Sequence, residues 1–327
     1  MKTNRISIIG GTGFLGKSLE RLFLNKKYNF QILDKNPLNQ KNHGFIDILN
    51  RESIKILKNT STIIHLAAEH KDNIRPINKY YKVNVTGAEN VCEAAEKFNI
   101  DTIIFTSSVA IYGFAPANTA EDGDINYFNE YGRTKYLAEK VFINWQKKQP
   151  NTRTLIIIRP TVIFGEGNRG NVFNLISQIK NKRFFMIGNG QNKKSMAYVE
   201  NVSAFIDYCL KMNKGIHIYN YVDKPDMTMN ELVSKVRRFY FTKENVGLKI
   251  PLFLGFLAGY FFDFISTILR KSLPVSSIRI KKFVQTTQFD SSISKLNFQA
   301  PYSLEEGLYR TMENDMKNFN HNQNHES

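Results

Sequence analysis

Ile6-Ser7-Ile8-Ile9-Gly10-Gly11-Thr12-Gly13-Phe14-Leu15-Gly16-Lys17-Ser18-Leu19-Glu20 opens the chain with a short apolar run, a glycine-rich turn and the start of a helical pattern. The turn satisfies Gly-x-x-Gly-x-x-Gly from Gly10 and Gly-x-Gly-x-x-Gly from Gly11. Glycines at these places let the backbone turn tightly and approach a diphosphate, which then sits at the positive end of the following helix. Alone the pattern is weak, because glycine-rich turns without ligands share it. Asp34 supplies a second signal. It ends the next apolar run, 18 residues past Gly16, where a carboxylate accepts from both hydroxyls of an adenosine ribose. The same carboxylate repels a 2′-phosphate, so NAD is expected rather than NADP, with Lys35 softening that preference.

Apolar runs at 5–9, 30–33, 62–66, 102–106 and 154–158 alternate with helical stretches such as 79–98 and 131–148. Most of the runs are near-continuously apolar, the mark of strands buried on both faces of a helix-covered parallel sheet. The fold class is therefore α/β: a Rossmann-type doubly wound parallel sheet with a smaller C-terminal substrate lobe. Residues 1–160 are assigned to the dinucleotide-binding domain with its catalytic residues. Residues 161–313 form a substrate lobe interleaved with the sheet, and 314–327 a polar tail.

The chain has 327 residues, 42% hydrophobic and 23% charged, which excludes disordered, collagen-like and coiled-coil proteins. Cys92 and Cys209 are too few for a disulfide framework and too far apart for a metal box. Reduced thiols in a cytosolic protein, and no metal site, are expected. The apolar run from Ile6 is too short and too broken by glycine for a signal peptide.

Half of the net charge of +16 lies on residues 235–282, which hold ten Lys or Arg against Glu244 and Asp263. Such a zone expects an acidic partner. Within it, Ile250 to Leu269 reads IPLFLGFLAGYFFDFISTIL, with Arg270-Lys271 following. A bilayer-spanning helix needs about 20 mostly apolar residues with few charges, and Asp263 in mid-stretch argues against one. A helix or helical hairpin lying in the membrane interface, basic flanks toward anionic headgroups, fits better. A buried lobe helix and an oligomer contact are the alternatives. Nucleic acid is not expected, since no basic stretch carries a base-stacking aromatic pattern.

Tyr131-Gly-Arg-Thr-Lys135 places a phenol and a cation one helical turn apart. A neighbouring cation favours the phenolate, so Tyr131 is expected to have a lowered pKa and to act as general base toward a sugar or alcohol hydroxyl. A second such pair, Tyr136 and Lys140, makes the spacing itself uninformative. Context selects the first: Thr106-Ser107-Ser108 ends a strand at the carboxyl edge of the sheet, where open α/β sheets bind ligands. Ser108 can hydrogen-bond the reacting oxygen.

Together these motifs resemble the extended short-chain dehydrogenase/reductases of the NAD-dependent epimerase/dehydratase family, over residues 5 to about 313. The match includes His65-Leu66-Ala67-Ala68, Asn84-Val85-Thr86-Gly87 and Arg159-Pro160-Thr161. The resemblance implies catalytic Ser108, Tyr131 and Lys135. It implies NAD on Gly10, Gly13, Phe14, Leu15, Gly16, Asp34, Asp47, Ile48, Leu66, Ala67, Ala68, Tyr131, Lys135 and Pro160. Sugar dehydratases of the superfamily carry Thr-Asp-Glu where this chain has Ser108-Val109-Ala110, so water loss is disfavoured. Epimerisation or ketone reduction is left.

Ala67-Ala68-Glu69-His70, Asn168-Arg169-Gly170-Asn171-Val172, Lys194-Ser195-Met196-Ala197-Tyr198-Val199, Asn220-Tyr221-Val222-Asp223 and Val275-Ser276-Ser277-Ile278-Arg279 narrow the likeness. They are similar to membrane-associated 4-epimerases that interconvert N-acetylglucosamine and N-acetylgalactosamine on undecaprenyl diphosphate. That resemblance implies a polyprenyl-diphosphate sugar substrate, held by Ser108, Asn171, Lys194 and Arg279. It also implies a peripheral position at the cytoplasmic face of the inner membrane, on an anionic lipid surface. A homodimer through 79–98 and 131–148 is the family habit. A soluble UDP-N-acetylhexosamine 4-epimerase or 4-ketoreductase is the rival expectation, and a non-catalytic binding module on the same fold a remoter one.

Overall fold

Seven parallel strands carry the molecule, and the chain visits them with helices between. The computed structural model describes residues 4–71, 74–269 and 276–323; Arg270, Lys271 and Val275 lie outside them. The chain runs β1 (Ile6–Ile9), α1 (Phe14–Asn25), β2 (Phe30–Asp34), β3 (His43–Phe45), β4 (Thr62–His65), α2 (Asn78–Tyr81), α3 (Gly87–Lys97), β5 (Thr102–Thr106), α4 (Glu130–Lys147) and β6 (Thr154–Pro160). It continues with β7 (Val162–Phe164), α5 (Asn171–Lys180), β8 (Met186–Ile187), β9 (Lys193–Tyr198), α6 (Val199–Cys209) and β10 (Gly215–Tyr221). Last come β11 (Asp223–Thr228), α7 (Met229–Phe241), β12 (Lys249–Ile250), α8 (Leu252–Leu269), α9 (Ser277–Val284) and α10 (Leu304–Gln323).

The large sheet has the order β10-β6-β5-β4-β1-β2-β3, and each of its pairings is parallel. Successive strand residues point to opposite faces. Ile9, Leu33, Ile63, Ile103, Phe105 and Ile157 pack under α3 and α4, whereas Ile8, Ile32, Ile64, Ile104 and Ile156 pack under α1 and α6. Each such side chain, fully removed from water, contributes about 1.5–3 kcal/mol. The order reverses at β1, which pairs β2 on one side and β4 on the other. The crevice for a ligand opens there.

The stretch expected as one helix at 79–98 is α2 and α3 joined by a π-turn at Lys82–Thr86. β3 and β10 were not foreseen as strands. β10 returns from the second half of the chain to pair with β6 along seven residues, so the large sheet draws on both sides of residue 160. The smaller lobe contains the sheet β11-β9-β7 and the pair β12-β8. α10 continues through Gln323, so much of the expected tail is helical.

α4 starts cleanly because Asn129 accepts from the Gly132 amide at 2.9 Å. It is tied to β6 by a buried ion pair: Arg159 donates to both carboxylate oxygens of Glu139 at 2.9 and 2.7 Å. The same guanidinium reaches the Tyr112 hydroxyl at 2.6 Å and the Glu121 carbonyl at 2.9 Å. Tyr112 donates onward to Asn220 of β10 at 2.8 Å.

α8 exposes most of its large apolar side chains. Phe253, Leu257, Tyr260, Phe261, Phe264 and Ile268 are each 60% exposed or more and follow helical spacing along one stripe. The opposite face meets the protein: Gly255 lies against Ile187, and Gly259 against Ser277 and Ile280 of α9. Asp263 belongs to this inner face, accepting from the Ser277 amide at 3.1 Å. The alternative of a buried lobe helix is therefore set aside, because the apolar stripe has no protein over it among the described residues.

Removing one partner of a buried ion pair strands the other charge. Arg159→Met is expected to lower unfolding free energy by about 3–5 kcal/mol in denaturant titration. Adding Glu139→Leu should recover most of the loss; no recovery would show that the pair itself is not what secures α4.

Candidate active site

The glycine turn between β1 and α1 is shaped as its sequence requires. Gly10 has a φ of +79°, and a Cβ on Gly16 would fall 2.2 Å from the Gly11 carbonyl oxygen, so α1 starts hard against the turn. Leu66 and Ala67, just past β4, donate to the Ile9 carbonyl at 2.8 and 3.1 Å. They thus line the turn's other side, with Ala68 next in the chain. Gly13 stands exposed at the helix start, and among the described residues no side chain caps α1 there. Free amides at a helix N-terminus suit a diphosphate. Phe14 and Leu15 tuck into the core behind them.

Asp34 ends β2, its carboxylate receiving the Thr12 amide at 3.2 Å and the Asn36 amide at 3.1 Å, one on each oxygen. A carboxylate has about four acceptor sites, so each oxygen keeps one for a ribose hydroxyl. Lys35 does not soften this site as expected, because its ammonium pairs with Asp47 at 2.9 Å. Asp47 also accepts from the Leu49 amide, and the Ile48 carbonyl receives Asn90 at 2.8 Å, which fixes the segment expected under an adenine. Pro160 ends β6, buried opposite Tyr221. These residues fit NAD: Asp34 would take the adenosine ribose and the amides of α1 the diphosphate.

Ser108 and Tyr131 come together, and Lys135 follows one turn along α4. Ser108 is in extended conformation after β5, its Oγ accepting from the Ala110 amide at 3.1 Å, and its side chain hydrogen-bonds the Tyr131 phenol. The approach depends on Gly132, a residue sequence reasoning passed over: a Cβ there would meet the Ala110 carbonyl oxygen at 2.4 Å. A small residue directly after the tyrosine is the signal that could have marked it.

The electrostatics differ from expectation. Burial raises the Tyr131 pKa, with the Ser108 hydrogen bond pulling the other way, so the phenol is the favoured form in the protein alone. Lys135 is not what sets it. Its ammonium faces the Phe105 ring, 4.3 Å from the centroid. Burial brings that ammonium down to about 7, against a smaller upward pull from Glu139 one turn on. His65 beside it is held neutral, its pKa pushed down to about 3 by burial and by the Lys135 charge.

The expected substrate residues are more scattered. Asn171 is the exposed first residue of α5. Lys194 on β9 is directed to the C-terminal end of α9, donating to the carbonyls of Lys282 at 2.9 Å and Gln285 at 2.5 Å. That is a helix-capping role for the cation; burial lowers its pKa to about 8. Arg279 is exposed in the first turn of α9. Two neighbours not singled out from the sequence stand nearer the catalytic helix. Lys281 and Lys282 lie over the Phe114 and Phe128 rings, each 4.9 Å from the centroid. Phe128 immediately precedes the α4 cap.

The model of the NAD dependent epimerase/dehydratase family matches residues 6–221. The chain is 44% identical over 319 residues to N-acetyl-alpha-D-glucosaminyl-diphospho-ditrans,octacis-undecaprenol 4-epimerase of Escherichia coli O157:H7, covering 95% of each protein. It is 26% identical to the UDP-glucose 4-epimerase of Vibrio cholerae over 94% of both. Among solved structures, MoeE5 in complex with UDP-glucose and NAD is similar with a TM-score of 0.76 at 21% identity, covering 97% of this chain and 100% of that one. That last likeness concerns the fold.

A lysine whose pKa is lowered by folding binds fewer protons folded than unfolded between about pH 7 and its ordinary value near 10.4. Its penalty is full below pH 7 and fades as pH rises through that window. Lys135→Met should therefore raise the melting temperature of the cofactor-free protein more at pH 6 than at pH 9, while cutting turnover about 10²-fold or more. An equal gain at both pH values would contradict a desolvated ammonium.

Proposed function

The chain belongs to the NAD-dependent epimerase/dehydratase family, and we propose that it interconverts the N-acetylglucosamine and N-acetylgalactosamine forms of a polyprenyl-diphosphate sugar at carbon 4. The supporting observation is near-full-length 44% identity to a relative named for that reaction. The exposed apolar stripe of α8 agrees with it, because a substrate anchored in a bilayer requires an enzyme that works at the bilayer surface.

Tyr131 takes the proton from the sugar O4, and Ser108 holds that oxygen through its loss and return. Bound NAD supplies the acceptor and donor of the hydride at C4. Lys135, one turn along α4 from the phenol, would offer the positive charge that stabilises the phenolate with NAD bound. The ketone formed at C4 turns over in the pocket and is reduced on its other face. Ser108-Val109-Ala110 brings no carboxylate for water loss, which favours epimerisation over dehydration. The protein sits at the cytoplasmic membrane face, α8 laid into the interface, with the basic side chains of α9 near anionic headgroups.

Offering purified protein the polyprenyl-diphosphate sugar and the UDP-sugar in parallel tests this. Turnover of the lipid-linked sugar is expected to dominate, and preference for the UDP-sugar would overturn the assignment. Tyr131→Phe should lose turnover while retaining bound NAD; a variant that still turns over would remove the tyrosine from its role.

A further inference from the structure

Between the loop after β8, the strand β12 and the end of α9 lies a groove of about 560 Å³. Its volume is in the range of small-molecule sites, roughly 300–1,000 Å³. Ile187, Ile250, Pro251, Leu252 and Val284 give it apolar walls, and the exposed Lys249 also lines it. Its side-chain amides are partly engaged within the protein. Asn192 donates to the Phe283 carbonyl at 2.8 Å, and Asn189 accepts from the Gln191 amide at 3.0 Å. The Gly188 amide is likewise bonded, to the Ile250 carbonyl at 2.9 Å. A nucleobase would find few free groups to match its polar edge, and unmatched polar groups are costly to bury. A hydrocarbon chain asks for none.

The groove also leads somewhere at each end. At one end Leu252 is 42% exposed and begins α8, whose stripe continues through Phe253 and Leu257. At the other end Val284 closes α9, whose last turn also carries Lys281 and Lys282; the Lys282 ammonium stands on Phe128, just before the α4 cap. Lys281 sits likewise on Phe114, which stacks on Phe128 with centroids 4.9 Å apart. The last turn of α9 thus sets cations over the residues that precede α4 and an apolar side chain in the groove that leads to α8, the same order as diphosphate and lipid chain in an amphiphile.

We propose that this groove binds the first isoprenoid units of the substrate's polyprenyl chain, guiding them from the diphosphate at Lys281 and Lys282 to the apolar stripe of α8. The inference rests on the lipid-linked substrate assigned above. It makes the groove, rather than the bilayer alone, a determinant of which diphosphate esters are accepted.

The test uses N-acetylglucosaminyl diphosphate esters of C5, C10 and C15 isoprenoid alcohols in detergent-free buffer, below their aggregation concentrations and without membrane. kcat/KM of the full-length protein with NAD is expected to rise about tenfold or more from C5 to C15, as apolar carbons are removed from water. Leu252→Asn and Val284→Thr should each flatten that dependence. Leu252 is at the surface and Val284→Thr keeps the side-chain shape, so folded variants are expected, verified by their melting temperatures. The slope against chain length is the readout, not the absolute rate. Turnover without chain-length dependence in the parent protein, or an unchanged slope in both variants, would overturn the groove and leave the lipid-linked activity standing. Turnover of the UDP-sugar alone, with none of the three esters, would remove the assigned substrate and the groove's occupant with it.

Discussion

The Arg159–Glu139 pair is the contact on which the catalytic arrangement hangs. It joins the middle of α4 to the carboxyl end of β6 in a site almost without water, where an ion pair is sound only if every charge is fully paired. Here the guanidinium has four acceptors, and two of them bring in elements distant in sequence: Tyr112 after β5 and the Glu121 carbonyl in the following loop. Glu121 in turn accepts the amides of Asn220 and Ser292, each at 2.9 Å. One buried cation therefore fixes α4, the Ser108 strand end, β10 and the segment after α9 relative to one another. Asn84 adds a brace, donating to Thr134 at 2.9 Å and to the Glu69 carbonyl at 3.1 Å. The face of α4 that carries Tyr131 and Lys135 has little freedom left.

Against that braced half, the other lobe presents an apolar surface with no protein over it among the described residues. α8 satisfies its backbone internally and turns its aromatic and aliphatic side chains outward, while its one aspartate is spent on capping α9. Charge follows the same division. Several cations of the basic zone stand on α9, near α4, and others are used internally, as Lys235 is on Glu305 at 2.6 Å. Half of the +16 thus falls on the stretch of sequence that contains the apolar helix.

Much of this was legible in the sequence because it depends on short-range rules. The five apolar runs, the glycine turn and Asp34 at the end of β2 follow from periodicity and spacing, and the structure has each in place. β3, three residues long, has no room for a pattern, and β10 mixes His217 and Asn220 into an edge strand with a partner on one side only. Lys194 shows a different limit. Its type suggests an anion, but its acceptors are backbone carbonyls some 90 residues away, which composition does not reveal. The Tyr131 phenol shows a third: a cation four residues away was expected to lower its pKa, yet burial and the Phe105 ring decide where that cation points. Asp263, an anomaly in an apolar run, made sense only once α9 was beside it.

The central claim is that one face of the molecule, formed by α8 and α9, meets the membrane next to the catalytic helix. Both native cysteines are buried and free, and burial pushes both thiols up, so a surface cysteine can be labelled selectively. Nitroxide labels on Phe261→Cys and on Lys17→Cys at the exposed side of α1, with anionic vesicles present, give the most direct measurement. The account predicts that the label at 261 becomes accessible to oxygen and shielded from a water-soluble nickel chelate, while the label at 17 stays in water. Equal exposure of both labels to the chelate would contradict it.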